Sequence, residues 1–364
     1  MKLLYYYPMS KGSPSNVSRK LLEELLNRMD ILPFSEIILF SKKKHIEYIK
    51  ENFQNLRVIS YTELSKISED YLVHFPMLPL IFPNSKFLLY LHTRFIRRKK
   101  IIIQYHGDIR TELKSNFKDP VSLIHLLSYI FVPNLLKNAD RVITHSYYMK
   151  GILENYGVLK SVVIPNAVDN YWFQPCSNSI CVNELLDKSK LNIFYHGRLS
   201  WEKGVDLLLK AAGDYVKSNP NTRIYLAGDG PQKNHLKELC SKLDIERKVI
   251  FMGHLNKEEI KFFLKNVDLA IYPSRFDNFP LAVLEALSCA NCPIYFSKNI
   301  GIYDFAIRDG FELNFFELNS QNIIKIFESI KKEKMSVSYQ VNFANRYSWD
   351  LIVPKYVETY NSVL

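Results

Sequence analysis

The chain has 364 residues, 47% of them hydrophobic and 23% charged, with a formal net charge of +11. That length exceeds one ordinary domain and suits two, the apolar content excludes a disordered chain, and no apolar run reaches the roughly 20 residues a membrane-spanning helix needs. Residues 1–165 carry 24 Lys+Arg against 14 Asp+Glu and residues 166–364 carry 24 against 23, so the basic excess belongs to the first half.

Short apolar strands alternate with helical stretches. In the first half, strands are predicted at Leu3–Tyr7, Ile37–Phe40, Val58–Ser60, Leu72–Phe75, Ile101–Tyr105 and Arg141–Thr144. Continuous apolar strands separated by helices point to parallel sheets covered on both faces. The first is too brief for a signal peptide and reads as a buried strand, so a cytoplasmic protein is expected. Gly12 follows it, either to let backbone approach a substrate or to make a plain turn. Next comes a cluster of Arg94, Arg97, Arg98, Lys99 and Lys100, with Leu88, Leu89, Leu91, Phe95 and Ile96 at near-helical spacing. A basic amphipathic helix of this kind reads as an element for an anionic membrane surface, which would place the protein at the inner face of the cell membrane. The alternative is a solvated helix end before a buried strand. No nucleic-acid-binding motif accompanies the charge. His106, in Gln104-Tyr105-His106-Gly107-Asp108, stands at a strand's carboxyl end, where doubly wound sheets bind ligands. Backbone contacts could equally satisfy it. A boundary is predicted at Val162–Asp169, and Leu351, Tyr356, Val357 and Tyr360 predict a terminal amphipathic helix.

In the second half, strands are predicted at Asn192–His196, Arg223–Ala227, Val249–Met252, Leu269–Tyr272 and Pro293–Phe296. Tyr195-His196-Gly197-Arg198-Leu199-Ser200-Trp201-Glu202-Lys203-Gly204 runs from a strand through a glycine loop into a helix. A helix N-terminus with two cations, Arg198 and Lys203, makes a diphosphate seat, although a surface loop with two solvated charges fits too. Gly228-Asp229-Gly230-Pro231 reads as a turn. Gly253-His254 ends the next strand, with His254 read as exposed. From Pro280 to Pro293 the residues are apolar or small, apart from Ser288, Asn291 and one carboxylate, Glu285. A helix apolar on every side is normally buried, and a buried carboxylate needs hydrogen-bond partners. No basic residue lies within helical reach of Glu285, so those partners come from elsewhere, and a ligand rich in hydroxyls would supply them. Pro280 suits a first-turn position, and Asp277 or Asn278 can cap the helix, whose first N–H groups at Phe279–Leu281 form an anion seat. An ordinary capped core helix remains the alternative. Of the five cysteines, Cys289 and Cys292 form a C-x-x-C without the second pair that zinc needs or a redox context, and read as small core residues.

Several of these motifs together resemble one family. Asp277-x7-Glu285 resembles the acidic E-x7-E signature of retaining glycosyltransferases of family 4 (glycosyl transferases group 1), with Asp where Glu is usual. Gly197-Arg198-x4-Lys203-Gly204 is similar to the family's G-R-x4-K-G, Gly228-x-Gly230-Pro231 to its G-x-G-P and Phe251-x-Gly253 to its F-x-G. Ala139–Ser146, Lys150 and Ile164–Asp169 match further segments, with Ala167 and Ala290 where Gly is usual; each change could shift the backbone or narrow the cleft. The likeness is close over residues 101–297 and loose, in topology only, over the first hundred.

The resemblance implies the α/β GT-B fold, two doubly wound Rossmann-like parallel-sheet domains facing across a cleft. Residues 1–165 would form an acceptor-binding domain, rejoined by a crossover helix at about 349–364, and residues 166–348 a nucleotide-sugar-binding domain. It further implies that Arg198, Lys203 and the helix N-terminus at Phe279, Pro280 and Leu281 stabilise a departing diphosphate. Gly12, Gly228, Gly230 and Gly253 would lie against the donor, Glu285 would hold its ribose hydroxyls and Asp277 its sugar hydroxyls. His106 would meet the transferred sugar near the reacting carbon. The sequence has no Asp-x-Asp pair, so neither a metal-bridged donor nor any cofactor besides the nucleotide-sugar substrate is expected. The expected reaction is retaining transfer of a hexosyl group from a nucleoside diphosphate sugar to a glycan or lipid-linked hydroxyl acceptor, in surface polysaccharide or lipopolysaccharide biosynthesis. The departures at Ala167, Asp277 and Ala290 also suit a catalytically degenerate subunit that binds a nucleotide sugar or an assembly partner, whereas the acid–base pairs of a sugar-nucleotide epimerase are not apparent.

Overall fold

A computed structural model describes residues 1–9, 13–79, 85–107, 131–175, 186–330 and 338–364. Gly12, most of the short apolar run Pro120–Pro133 with its His125, and Cys176 and Cys181 lie outside them. The chain divides into two compact units, one made of Met1–Asn166 with Trp349–Leu364 and the other of Ala167–Ser348.

The first unit is built on a parallel sheet. Its strands are β1 (Lys2–Tyr6), β2 (Ile37–Phe40), β3 (Arg57–Ile59), β4 (Tyr71–Phe75), β5 (Ile101–Tyr105), β6 (Arg141–Thr144) and β7 (Ser161–Val163), in the order β3-β2-β1-β4-β5-β6-β7. β2, β4 and β5 are buried along their whole length. That explains why they read as unbroken apolar runs: a strand covered on both faces has no solvent side to mark.

The final helix, Trp349–Asn361, belongs to this unit. Its buried residues Trp349, Ile352, Val353, Tyr356, Thr359 and Tyr360 recur at helical spacing. Two polar contacts lock that face onto the sheet: the Tyr360 hydroxyl meets His74 Nδ1 at 2.8 Å, and Gln104 Nε2 donates to the Tyr356 hydroxyl at 2.7 Å. Arg28 pairs with Asp350 at the helix start.

The predicted basic amphipathic helix takes another form. An α-helix covers only Ser85–Leu91 and widens into a π-turn over His92–Ile96. Most of the charge is turned onto the protein itself. Arg94 and Lys100 reach Asp140 at 3.3 and 3.9 Å, Lys99 reaches Asp70 at 2.6 Å, and Arg97 donates to the carbonyls of Ser65 and Ile67. Phe95 and Ile96 are 62% and 69% exposed. No helix among the described residues is long and apolar enough to cross a membrane.

The second unit repeats the plan. Strands β8 (Leu191–His196), β9 (Thr222–Ala227), β10 (Val249–Gly253), β11 (Leu269–Tyr272), β12 (Ile294–Ser297) and β13 (Asn314–Phe316) are all parallel, in the order β10-β9-β8-β11-β12-β13. The short edge strand β13 carries no sequence signal of its own. The winding direction reverses between β8 and β11. At such a switch point the loops leave the sheet on opposite faces and open a crevice beyond the strands' carboxyl ends. Cys289 and Cys292 are buried, as core residues should be, and burial pushes the Cys292 thiol up to about 12.

Candidate active site at the switch point of the second sheet

The chain segments beyond the carboxyl ends of β8, β9, β10 and β11 meet, and backbone hydrogen bonds join the first three. Gly197 and Leu199 donate to the carbonyls of Ala227 and Asp229 at 2.9 and 3.0 Å, and Gly228 donates to Gly253 at 2.6 Å. The approach is so close that a Cβ on Gly228 would stand 2.0 Å from the Gly197 carbonyl oxygen, and one on Gly204 1.9 Å from that of Pro273. Both glycines also have positive φ, so their places in the motifs are fixed by the backbone alone. Gly230 lies on the same β9 loop. Gly253 ends β10 with its carbonyl taken by Gly228.

A second set of bonds ties the β8 loop to the β11 loop. Arg275 forms a bidentate pair with Asp206, both contacts at 2.7 Å, donates to the Trp201 carbonyl at 2.8 Å and lies over the Trp201 ring. Burial works against the ionised Asp206, yet the guanidinium holds its carboxyl below the ordinary value. The Arg275 amide donates to the Glu202 carbonyl at 2.7 Å. The loop bearing Lys203 is thereby fixed against the one bearing Asp277, and the two side chains form an ion pair with 23% and 15% of their surfaces exposed. Arg198 is exposed on the same β8 loop, whose carbonyl at that residue accepts from the buried Tyr195 hydroxyl at 3.0 Å. Among the described residues the Arg198 guanidinium has no ion-pair partner.

The helix Leu281–Cys289 begins beyond β11. Neither Asp277 nor Asn278 caps it: Pro280 takes the N-cap position, with no side-chain hydrogen bond. The physical reason is that Asp277 is drawn to Lys203, while its backbone pairs as a bridge with Ile300. The helix's first N–H groups therefore lack a side-chain cap at the end nearest the loop. The helix is buried as predicted, but Glu285 keeps 21% of its side chain exposed and already has one protein partner, His196 Nε2 at 3.3 Å. His196 was read only as the last residue of a strand. Its Nδ1 meets the Tyr272 hydroxyl at 2.8 Å. No periodicity marks a contact between side chains 89 positions apart.

Among the residues predicted for the site, Arg198, Lys203, Gly228, Gly230, Gly253, Asp277, Phe279, Pro280, Leu281 and Glu285 thus stand on the carboxyl-end loops and the helix start of one unit. His254 is exposed. Ala290 has φ −67°, open to any residue. Among the described non-glycine residues only Arg98 and Asp244 have positive φ, so neither Ala167 nor Ala290 strains the backbone. His106 belongs to the first unit, at the end of β5. Its Nε2 donates to the Pro76 carbonyl at 2.8 Å, its Nδ1 lies 3.1 Å from His145 Nε2, and burial lowers its pKa to about 4. It is a neutral ring held by its surroundings.

The sequence matches two profiles, Glycosyl transferases group 1 over residues 180–345 and Glycosyltransferase Family 4 over residues 80–170. It is 29% identical to the alpha-monoglucosyldiacylglycerol synthase of Streptococcus pneumoniae over 58% of this chain and 50% of that protein. It is 26% identical to the Escherichia coli O-antigen biosynthesis glycosyltransferase WclY over 60% of this chain and 70% of that one. Against three further curated glycosyltransferases the chain spans 45%, 66% and 46% of the relative's own length. Among solved structures, the Anabaena protein HepE in complex with UDP-glucose superposes with a TM-score of 0.73 at 18% identity, with 100% of both chains covered. The chain belongs to the group 1 glycosyl transferases of family 4, a family of transferase enzymes, and has the GT-B fold.

Proposed function

We propose that the protein transfers a hexosyl group, with retention of anomeric configuration, from a nucleoside diphosphate sugar to a hydroxyl of a glycan or lipid-linked acceptor, in surface polysaccharide, lipopolysaccharide or glycolipid assembly. The observation that carries this reading is the switch-point site, where two cations, an uncapped helix N-terminus and a part-exposed glutamate lie on loops and a helix joined by hydrogen bonds. Arg198, Lys203 and the N–H groups at the start of Leu281–Cys289 receive the charge of the leaving diphosphate. Glu285 accepts from the ribose hydroxyls and Asp277 from the sugar. Catalysis is by positioning and electrostatics, and no metal is required. His106, neutral at pH 7, acts as a hydrogen-bonding group toward the sugar once a sugar hydroxyl displaces one of its present partners. HepE was solved with UDP-glucose, which supports a nucleotide-sugar donor, and the names of the pneumococcal and Escherichia coli relatives support lipid or glycan acceptors.

The proposed location is the cytoplasmic face of the membrane. Since most of the basic cluster is paired within the protein, contact would rest on Phe95, Ile96 and exposed Arg98 rather than on five free charges. Flotation with liposomes, with and without anionic lipid, tests it: loss of binding on Phe95→Ser with Ile96→Ser is expected, and absence of any lipid binding counts against it.

The activity itself is tested by nucleoside diphosphate release across a panel of sugar nucleotides. Turnover of at least one donor, abolished by Glu285→Ala in a variant with an unchanged circular dichroism spectrum, is expected. Donor binding without turnover would instead favour the degenerate binding subunit, and full activity in the variant would remove Glu285 from the site.

A further inference from the structure

We propose that His196 and Tyr272 are positioning residues that orient the Glu285 carboxylate for a vicinal diol, so that the grip on ribose is set by a chain of three side chains reaching into the core of the second unit. This rests on the reading of Glu285 as the ribose contact.

The direction of each hydrogen bond follows from the chemistry of the groups. An ionised carboxylate only accepts, so His196 Nε2, 3.3 Å from Glu285 Oε2, carries the hydrogen. The other nitrogen of a neutral imidazole is bare and must accept. The Tyr272 hydroxyl, 2.8 Å from Nδ1, therefore donates. Tyr272 keeps its proton because burial raises its phenol well above the ordinary value. The imidazole is also held sterically: Phe194 stacks on it at 5.6 Å between ring centroids, and Tyr272 meets it edge-on at 5.5 Å. The tautomer is thus assigned from the network and every hydrogen in it is accounted for.

The consequence lies at the far end of the chain. Oε2 of Glu285 is engaged by His196, whereas Oε1 makes no hydrogen bond among the described residues, and the side chain reaches solvent. A flexible glutamate on a helix would have to be ordered when a diol binds. One already fixed at one oxygen presents the other without that cost. A backbone donor to Glu285 would do the same, but the segments around it supply none among the described residues.

The test compares binding of nucleoside diphosphates with that of their 2′,3′-dideoxy counterparts. Uridine, guanosine and adenosine diphosphates are screened by calorimetry, and the tightest is used. The wild-type protein is expected to prefer the ribose form by about tenfold or more, and Glu285→Ala to bring the ratio near one. Tyr272→Phe and His196→Phe should each lower the ratio by about three- to tenfold, and His196→Gln, which restores an N–H, should retain more of it. A general loss of structure would weaken both nucleotides alike and leave the ratio unchanged. If Glu285→Ala removes the preference while both Tyr272→Phe and His196→Phe keep it whole, the positioning role is overturned and the ribose reading stands. A preference that survives in Glu285→Ala, or a wild-type protein that binds no diphosphate, overturns both. Nitrogen-15 shifts give an independent reading: His196 should carry its hydrogen on Nε2, and an Nδ1–H ring would refute the chain.

Discussion

Lys203 and Asp277 stand 74 positions apart in the sequence and are ion-paired across two loops of one sheet, each largely shielded from solvent. Both are proposed to meet the donor, yet in the protein alone they pair with each other. A diphosphate must therefore compete with Asp277 for the ammonium. Asp277→Ala should tighten binding of a nucleoside diphosphate by about fivefold, the size of a modest ion pair, while lowering kcat for sugar transfer because a sugar-hydroxyl acceptor is lost. Lys203→Ala should weaken binding and lower kcat together. Calorimetry with the diphosphate alone, set beside steady-state kinetics, checks both. Parallel changes in Asp277→Ala would show that the carboxylate does not restrain the lysine.

The clamp between Arg275 and Asp206 makes a separate prediction. Two parallel charge-assisted bonds, a carbonyl contact and an indole face all depend on the planar fork, which a lysine lacks. Arg275→Lys should cost about 1.5–3 kcal/mol in unfolding free energy and should raise donor KM by letting the Lys203 loop drift. Urea unfolding followed by tryptophan fluorescence measures the first effect. An unchanged midpoint would mean that the backbone bonds between Arg275 and Glu202 hold the loops unaided.

Gly204 offers a purely steric test. With φ at 67° and a Cβ destined for the Pro273 carbonyl, Gly204→Ala must push the β11 loop away from the β8 loop. The strained conformation alone costs about 1–3 kcal/mol. The expected result is lower stability together with loss of donor binding, since Lys203 and Asp277 separate. Gly253→Ala serves as a comparison, because open space surrounds that position although its φ is also positive, and it should cost less.

How much of this was legible in the sequence depends on the range of the interaction. The central strands are continuous apolar runs, so burial on two faces marked them directly, whereas β7 was seen only as the residues leading into the predicted boundary. β13 was missed because three edge residues, Asn314–Phe316, give no such run. Gly204, Gly228 and Gly230 were legible because a close backbone contact admits no Cβ there, whereas Gly253 has open space around it and only a positive φ to favour glycine. The partners of the polar groups were not. Glu285 was expected to wait for a ligand, but His196 reaches it from the neighbouring strand. Asp277 was expected to cap a helix and instead crosses to Lys203. Arg275 had no assigned role at all. Each depends on which loops the sheet order places side by side, and residue spacing along one element says nothing of that. The partners of the basic cluster were illegible for the same reason: Asp70 and Asp140, which draw in Lys99 and Arg94, come from other parts of the chain.

The contact between His74 and the terminal helix predicts an acid sensitivity. His74 is fully buried, and burial lowers its pKa to about 3, whereas the unfolded chain titrates near 6.5. The groups around it are the Tyr5 and Tyr356 rings, the hydroxyl of Tyr360, the side chain of Gln104, whose hydrogen bond only partly offsets the burial, and neutral His106; none offers a negative charge to stabilise an imidazolium. Between those two values the unfolded state binds a proton that the folded state does not. Stability is therefore complete above about pH 6.5 and falls as the pH drops toward 3, by about 1.4 kcal/mol per pH unit for this one group. His74→Gln should be less stable at pH 7, having lost the ring's contacts, but should show a shallower decline between pH 6 and pH 4. Tyr360→Phe should lower stability by about 1 kcal/mol and keep the steep decline, since it leaves His74 in place. Urea midpoints at pH 7, 6, 5 and 4 separate these outcomes. Parallel curves for the wild type and His74→Gln would move the acid sensitivity to His106 and His145, whose pKa values are lowered by the same burial to about 4 and about 3.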